Sequence, residues 1–286
     1  MKTIGAIVNV RKPEAADTLK RLVVQSKALG LHLLVTSDAA ALLHNLKPVS
    51  EAELFDRAEA LVVLGGDGTM LGAVRALAGR ETPLLGVNIG SLGFMTSVPE
   101  EELENALTAL AGGQCVVEAR SLMECRYQPA QGAPQVAHAL NELAIGWGAS
   151  SKMVTLELAV DDEPVTAYAC DGMIIATPTG STGHSLSAGG PLLHPQAAAF
   201  VIAVMCPHTL STRPLVIADS SSIGVRVSSA TKELLFSCDG QEHALFQGDR
   251  LSVRRSPRVA RFVHLPGYSY FAVLRQKLHW RGSSLL

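Results

Sequence analysis

Three glycines surround a single aspartate directly after an apolar segment of strand length. The segment Leu61–Leu64 is followed by Gly65–Thr69, and a helical pattern begins at Met70. Glycines permit a sharp turn and let backbone N–H groups approach a ligand, and a helix N-terminus attracts a phosphate. A loop that only binds anions has no need of a carboxylate. Asp67 therefore indicates a base that takes a proton from an attacking hydroxyl, or a group that works with a metal, unless the segment is a purely structural turn.

A second candidate for chemistry is the polar pair Asn141-Glu142, which interrupts the apolar segment from Ala139 to Ile145. If the pair lies within a strand, its two side chains point to opposite faces, and at least one is directed inward or along a cleft. An amide and a carboxylate can hydrogen-bond the edge of a base and the cis-diol of a ribose. A purely structural interpretation, in which the pair lies at a strand edge or bulge, explains these residues as well as a ligand contact does.

The third candidate is a run of small and hydroxyl residues that extends from Asp171 to Pro191 and includes the predicted strand Met173–Ala176. The hydroxyl and N–H groups after this strand could line a polar ligand. A plain connection of this length would be costly to order, so a ligand site is favoured. His184 alone is weaker evidence, because a lone histidine is more often a hydrogen-bonded loop residue than an acid or a base.

Two further loops are interpreted first as turns. Cys206–Pro214 has the composition of a rigid proline turn, and Asp239-Gly240-Gln241 is a β-turn sequence before it is a ligand contact. The chain contains neither G-x-x-x-x-G-K-[ST] nor a clean G-x-G-x-x-G. Phosphate binding would therefore use neither the P-loop nor the usual dinucleotide fingerprint.

The elements that position these residues fall into two compositional regions. Strand and helix patterns alternate up to about residue 113, which predicts an α/β domain with a mostly parallel sheet covered on both faces. Ser97 and Glu100 have the spacing of a capping box for the helix of Leu103, Leu107 and Leu110. Short strand-like runs follow, including a single one over Val136–Trp147, and they predict a β-rich, sandwich-like domain. The predicted divisions are 1–115, 116–265 and a tail, 266–286, which packs back on the first domain as a strand or helix.

Composition and charge limit the classes of function. With 48% hydrophobic residues, 17% charged residues and a net charge of −2, the 286-residue chain is typical of a compact soluble protein. We expect no binding to nucleic acid or membrane, and an arginine cluster from Arg250 to Arg261 is expected on the outer face of a strand. Five scattered cysteines without a C-x-x-C pair predict reduced thiols in the cytoplasm and no zinc site.

Taken together, the motifs resemble those of the NAD kinase family, the ATP-dependent NAD 2′-phosphotransferases. Gly65–Thr69 resembles the signature loop of the family, Asn141-Glu142 its second motif and Asp171–Pro191 its third. Leu92-Gly93-Phe94 and Cys206–Leu210 also match in place and order. The resemblance covers nearly the whole chain. The glycine loop alone is similar to that of diacylglycerol, sphingosine and phosphofructokinase-type kinases, whereas the three motifs in sequence are highly specific.

The resemblance implies an active site in the cleft between the two domains, where the γ-phosphoryl of ATP is transferred to the adenosine 2′-hydroxyl of NAD with a divalent cation such as Mg²⁺. It implies that Asp67 takes the hydroxyl proton or orients the hydroxyl, and that the triphosphate is held by Gly66, Gly68 and Thr69. With no carboxylate cluster in view, no metal ligand is assigned, and the cation is expected on the ATP phosphates. A homodimer or homotetramer is also implied. The expected NAD-binding residues are Phe94, Asn141, Glu142, Lys152, Ala169, Asp171, Thr182, Gly183, His184, Ser185, Leu186, Ser187 and Gln241.

One departure bears on specificity. Many bacterial members have Ala-Tyr where this chain has Gly183-His184, so a tyrosine ring that would pack on the dinucleotide is missing. In the family, glycine at the first position accompanies a preference for NAD over NADH, which is therefore expected here. A lipid kinase of the diacylglycerol type is the enzyme alternative, and a non-catalytic dinucleotide sensor is the alternative from another class.

Overall fold

A computed structural model describes residues 1–43, 45–90, 93–130, 132–147, 153–230 and 234–280. Two of the residues singled out above, Leu92 and Lys152, lie outside the described residues. The chain divides into two compact units. The first unit comprises Met1–Ala119 and the described residues from Ala260 onward, and the second comprises Arg120–Val259.

The strands of the described chain are numbered in chain order: β1 Thr3–Val8, β2 His32–Val35, β3 Ala60–Gly65, β4 Leu84–Asn88, β5 Val98–Pro99, β6 Val116–Gln128, β7 Gln135–Ala139, β8 Glu142–Trp147, β9 Val154–Val160, β10 Glu163–Cys170, β11 Gly172–Ala176, β12 Ala199–Met205, β13 Leu215–Ala218, β14 Ile223–Ser229, β15 Leu234–Cys238, β16 Gln241–Leu245 and β17 Arg250–His264. The helices are α1 Ala15–Ala28, α2 Ser37–Ala40, α3 Glu51–Arg57, α4 Asp67–Leu77, α5 Leu103–Ala111, α6 His184–Ser187 and α7 Tyr270–Lys277. None of these helices is long and apolar enough to span a membrane.

The first unit is built on a parallel sheet in the order β2-β1-β3-β4, which confirms the predicted α/β class. Ile4 and Ala6 on β1 face the core that contains the leucines of α1 and α5. Gly5 points the other way, where a methyl group would lie 2.9 Å from the Leu54 Cδ2 of α3. Helices thus cover both faces, and every residue of β3 is buried, as expected for a central parallel strand.

The predicted capping box at Ser97 and Glu100 is wrong. A 3₁₀ turn precedes α5, and the N-cap residue Glu102 makes no side-chain capping bond. The Glu100 carboxylate instead accepts a hydrogen bond from Thr18 Oγ1 at 2.7 Å and pairs with Arg21 of α1. Tertiary partners on α1 have therefore replaced the local cap, and they hold α5 beside that helix.

The second unit contains two groups of antiparallel strands, which confirms the predicted β-rich class. One group has the order β10-β9-β14-β17, with β6 pairing β17 and β7, and the other has the order β13-β12-β11-β8-β15-β16. Alternate residues of both groups, such as Leu156, Val225, Ile145, Ile175 and Phe200, belong to one buried core. The two sheets therefore face each other across this core, as in a sandwich.

Two local predictions require correction or completion in the second unit. The single strand predicted over Val136–Trp147 is two strands, β7 and β8, and Asn141 lies in the break between them. The reason is that β7 pairs with β6 in one sheet whereas β8 pairs with β11 and β15 in the other. The arginine cluster from Arg250 to Arg261 lies entirely on β17, where Arg254 pairs with Glu124.

Candidate functional site

The Asp67 carboxylate is fixed by backbone N–H groups at the point where β3 gives way to α4. Its Oδ2 accepts a hydrogen bond from Phe94 N at 2.8 Å, and its Oδ1 accepts from Met95 N at 2.9 Å and Thr96 N at 3.3 Å. Three N–H donors from one short segment determine both the position and the plane of the carboxylate. The carboxylate is therefore oriented before any ligand binds.

Gly93 is the residue that makes room for this arrangement. A methyl group at Gly93 would lie 2.7 Å from Asp67 Cγ and 2.6 Å from Thr96 Oγ1. Any side chain there would push the carboxylate away from its N–H donors. The steric role of Gly93 is not predictable from its local motif, because it depends on a contact with Asp67, which is 26 residues away in the sequence.

The glycine loop presents a helix N-terminus next to Asp67. Gly66 is the N-cap residue of α4 and has no side chain to satisfy the first-turn N–H groups. Gly68 is exposed and Thr69 is half-buried, with its side chain packed against Gly65. Thr69 N donates to Gly66 O at 2.9 Å. Backbone N–H groups at a helix N-terminus and the positive end of the helix dipole can together bind a phosphate.

Phe94 adds an aromatic ring to the same region of the first unit. The ring is half-buried, and Lys277 Nζ of α7 lies 5.5 Å from its centroid, within range of a cation–π interaction. Since Phe94 N also donates to Asp67, the ring is attached to the segment that orients the carboxylate.

In the second unit, Asn141 and Glu142 are held by another carboxylate, that of Asp239. Asp239 Oδ2 accepts from Leu140 N at 2.7 Å, and Oδ1 accepts from Asn141 N at 2.9 Å and Glu142 N at 3.1 Å. The turn interpretation of Asp239-Gly240 is consistent with the positive φ of both residues, 48° and 79°. No local pattern predicts the long-range bonds, because the turn signal explains both residue types.

The polar tips of this pair lack partners within the described structure. Asn141 Oδ1 and Glu142 Oε2 are buried, and neither has a hydrogen-bond partner among the described residues. Burial raises the pKa of Glu142 to about 7, with a further contribution from the negative charge of Asp239. Buried polar atoms without partners are costly unless a ligand satisfies them, so the pair has the properties of a binding site.

The run after β11 is packed tightly against the same break between β7 and β8. Thr177 N donates to Asn141 O at 2.9 Å, and the Thr177 hydroxyl donates to Leu140 O. A methyl group at Gly180 would lie 2.7 Å from Asn141 Cα, so the chain can approach this closely only with glycine. At Gly183, a Cβ atom would lie 3.6 Å from Glu142 Oε2.

Two of the remaining hydroxyls in the run have structural partners. Thr182 Oγ1 donates to Thr179 O at 3.1 Å, and Ser181 Oγ donates to Pro178 O at 2.7 Å. Ser185 on α6 differs, since its Oγ is buried without a partner among the described residues. On the same short helix, Leu186 is half-buried and Ser187 is exposed.

Two cavities adjoin α6. One, of about 380 Å³, is lined by Asp171, His184, Cys206 and Glu242 among others. The other, of about 470 Å³, shares His184 and Cys206 and adds Ser187. The Cys206 thiol hydrogen-bonds to the Asp171 carboxylate, and this bond raises the pKa of the thiol.

The predicted residues are therefore distributed over both units. Asp67, Gly66, Gly68, Thr69 and Phe94 gather in the first unit. The others that the structure describes belong to the second unit, where Ala169 lies on β10 and accepts a hydrogen bond from His208 N at 2.9 Å. Gln241 is exposed at the start of β16, and its neighbour Glu242 lines the smaller cavity. Residues that the sequence interpretation missed as site components are Asp239, Met205 and Glu242.

The first unit is a parallel α/β unit in which an oriented aspartate lies at a helix N-terminus that begins with glycine. The second unit is β-rich and carries an amide oxygen and a carboxyl oxygen without hydrogen-bond partners among the described residues. This pattern is expected of a nucleotide phosphotransferase. Comparison with known proteins agrees with this class. Residues 4–115 match the family model "ATP-NAD kinase N-terminal domain", and residues 140–265 match "ATP-NAD kinase C-terminal domain".

Full-length relatives give the same result. The chain is 39% identical to the NAD kinase of Azotobacter vinelandii, covering 99% of this chain and 97% of the relative. It is 40% identical to the NAD kinase of Ectopseudomonas mendocina, with coverage of 99% and 96%. The chain belongs to the ATP-NAD kinase family.

Solved structures resemble it over the whole chain. Yeast NADH kinase complexed with NADH superposes with a TM-score of 0.92 and 25% identity, covering 100% of this chain and 90% of the yeast one. An NAD kinase from Archaeoglobus fulgidus in complex with ATP gives a TM-score of 0.77 and 27% identity, with coverage of 99% and 100%. These comparisons support neither a lipid kinase nor a non-catalytic sensor.

Proposed function

We propose that the protein transfers the γ-phosphoryl group of ATP to the adenosine 2′-hydroxyl of NAD, giving NADP. The observation that carries the proposal is the Asp67 carboxylate, held by three N–H groups beside a helix N-terminus that lacks a capping side chain. The ATP complex of the Archaeoglobus relative and the NADH complex of the yeast relative support the two substrate classes.

In this proposal the phosphate chain of ATP binds at Gly66, Gly68 and Thr69. The N–H groups of the first turn of α4 neutralise phosphate charge, and Asp67 accepts a hydrogen bond from the attacking hydroxyl. Phosphoryl transfer passes through a loose transition state that demands alignment more than strong basicity. A carboxylate with a fixed plane suits that demand, whether it removes the proton or orients the hydroxyl.

The adenosine of NAD binds, in the same proposal, at Asn141 and Glu142. Their buried oxygens Oδ1 and Oε2 lack partners among the described residues, and both are able to accept hydrogen bonds from the hydroxyls or the exocyclic amine of adenosine. Further contacts with NAD are proposed for Phe94, Lys152, Ala169, Asp171, Gln241 and the segment Thr182–Ser187. We propose a cytoplasmic homodimer or homotetramer, in which some of these contacts come from a neighbouring subunit.

A divalent cation such as Mg²⁺ is proposed to enter with ATP. The described residues contain no group of three or more His, Cys, Asp or Glu side chains placed to hold a metal ion. Mg²⁺ commonly binds through substrate phosphates with few protein ligands, so a cation carried by the nucleotide fits this donor set. The cation would neutralise charge on the phosphates, and the chain would supply the N–H groups and Asp67.

We also propose a preference for NAD over NADH. Gly183 is exposed and has no side chain, and a Cβ atom there would lie 3.3 Å from Gly180 O and 3.6 Å from Glu142 Oε2. A larger polar residue would place new groups beside the carboxyl proposed to bind NAD. Gly183→Arg should raise activity with NADH relative to NAD, and an unchanged ratio of the two activities would contradict this explanation.

The activity itself is tested by incubating the protein with ATP, Mg²⁺ and NAD and following NADP with an NADP-specific dehydrogenase. Wild type should form NADP, and Asp67→Asn should form it at a rate lower by about 10²-fold or more, because an amide nitrogen would face N–H donors. The absence of NADP from both proteins would overturn the kinase proposal. Equal rates would overturn the role of Asp67 alone.

A further inference from the structure

The Asp239 carboxylate, like that of Asp67, accepts hydrogen bonds from consecutive backbone N–H groups. It accepts from residues 140, 141 and 142 at 2.7, 2.9 and 3.1 Å, and Asp239 N donates back to Glu142 O at 3.1 Å. These bonds bridge 97 to 99 positions of sequence. One carboxylate thus fixes the backbone from which both Asn141 and Glu142 project.

Strand pairing explains why these N–H groups depend on a side chain. The register of β15 on β8 places Cys238 opposite Leu143, so Asp239 lies just beyond the last paired residues. At this point β7 has ended in one sheet and β8 has only begun in the other. The N–H groups in the break are satisfied by Asp239 instead of by a neighbouring strand.

The same carboxylate acts electrostatically on Glu142. Among the titratable groups on elements that flank Glu142, Asp171 precedes β11, His184 begins α6, Cys238 ends β15 and Asp239 follows it. Asp239 is the one whose charge raises the pKa of Glu142, in addition to burial. Removing that negative charge would favour the ionised form of Glu142.

We propose that Asp239 is a positioning residue for the dinucleotide site, which fixes the backbone of residues 140–142 and thereby the direction of Asn141 and Glu142. The inference rests on the proposed function, because it assigns these two side chains to NAD. Asp239 acts through residues 140–142 and is not required to touch NAD itself.

Asp249 provides a matched control in the same unit. Its buried carboxylate also gathers donors, from Tyr127 Oη at 2.8 Å, Ala130 N at 2.7 Å and Phe246 N at 2.9 Å. None of these donors is assigned to the site. Asp249→Asn therefore removes a comparable structural carboxylate without changing residues 140–142.

The test compares wild type, Asp239→Asn and Asp249→Asn by steady-state kinetics and by calorimetric titration with NAD. Asp239→Asn should raise the KM and Kd for NAD by about 10- to 100-fold, because misplacement by about 1 Å has effects of that order, while the KM for ATP stays within about threefold. Asp249→Asn should leave the constants for both substrates near wild type, even if it lowers the melting temperature.

The pH profile supplies a readout that a purely structural role would not move. The Kd for NAD of wild type should change with an inflection near the pKa of Glu142, about 7. The inflection should move to lower pH in Asp239→Asn and stay in place in Asp249→Asn. Asp239→Glu, which keeps the charge but not the geometry, should raise the Kd without moving the inflection, and it carries the test if Asp239→Asn does not fold.

A folded Asp239→Asn with wild-type Kd and an unmoved inflection would overturn the proposal, as would equal effects of Asp239→Asn and Asp249→Asn on NAD binding. Because the Kd is measured without phosphoryl transfer, these outcomes differ from failure of the proposed function. If the proposed function failed instead, wild type would bind NAD yet form no NADP.

Discussion

Substitution of Gly93 by alanine should separate catalysis from folding. Ordinary van der Waals contact begins at 3.4 Å, and the new methyl group would lie 2.7 Å from Asp67 Cγ. The carboxylate must therefore retreat by at least about 0.7 Å and loses its N–H donors at residues 94–96. Misplacement of a reacting group by 1 Å costs about 10²-fold in rate. We expect kcat to fall about 50-fold, equivalent to about 2.3 kcal/mol in the activation free energy.

The assay is NADP formation at saturating ATP and NAD, with the KM for both substrates measured alongside kcat. We expect both KM values to change by less than about threefold, because the N–H groups of α4 and the residues of the second unit stay in place. Gly72→Ala is the matched control, since Gly72 lies on α4 and a methyl group there meets no atom within 4 Å. This control should keep wild-type kcat and gain up to about 1 kcal/mol in stability.

The reasoning would be refuted if Gly93→Ala retained kcat within about threefold of wild type while its thermal unfolding stayed cooperative. An equal loss of kcat in Gly72→Ala would also refute it, because the loss would then reflect any added methyl group near the loop. A Gly93→Ala protein that melts early but regains wild-type kcat at low temperature would assign Gly93 to stability alone.

Other expectations follow from buried polar groups in the second unit. The folded-state pKa of Glu142 is raised from 4.5 to about 7, so its contribution to stability is present below pH 4.5 and lost as pH rises to 7. In urea unfolding without ligand, the free energy of unfolding of Glu142→Gln should therefore increase relative to that of wild type over this pH range, by roughly 3 kcal/mol at most. Tyr127→Phe removes a donor to the Asp249 carboxylate and should cost about 1–3 kcal/mol in the same measurement. Ser181→Ala removes the buried hydroxyl that donates to Pro178 O at 2.7 Å and should cost about as much, with the melting temperature lowered accordingly.

Patterns within a short segment predicted the elements well. Leu61–Leu64 is a run of apolar residues followed by glycines, and the strand β3 extends it by one residue at each end. The alternation in Val154–Val160 corresponds to β9 without change of bounds. Such segments are predictable because burial on one or both faces leaves a local hydrophobic period.

Features that depend on distant partners were not accessible to the same reasoning. Ser97 and Glu100 have the correct spacing for a cap, yet Thr18 and Arg21 outcompete the helix end for Glu100. Asn141 interrupts a continuous apolar run because its two flanking strands pair in different sheets. A turn explains the backbone conformation of Asp239 but not the three N–H groups that its side chain binds.

The carboxylates of Asp67 and Asp239 imply an order of assembly during translation. The donors to Asp67 lie 27 to 29 residues away, so that arrangement can form soon after residue 96 leaves the ribosome. The donors to Asp239 precede it by 97 to 99 residues and wait for β15 to be synthesised. Closure of the longer loop is slower. A nascent chain arrested between these points would hold Asp67 in place while the backbone at Asn141 and Glu142 still lacked its anchor.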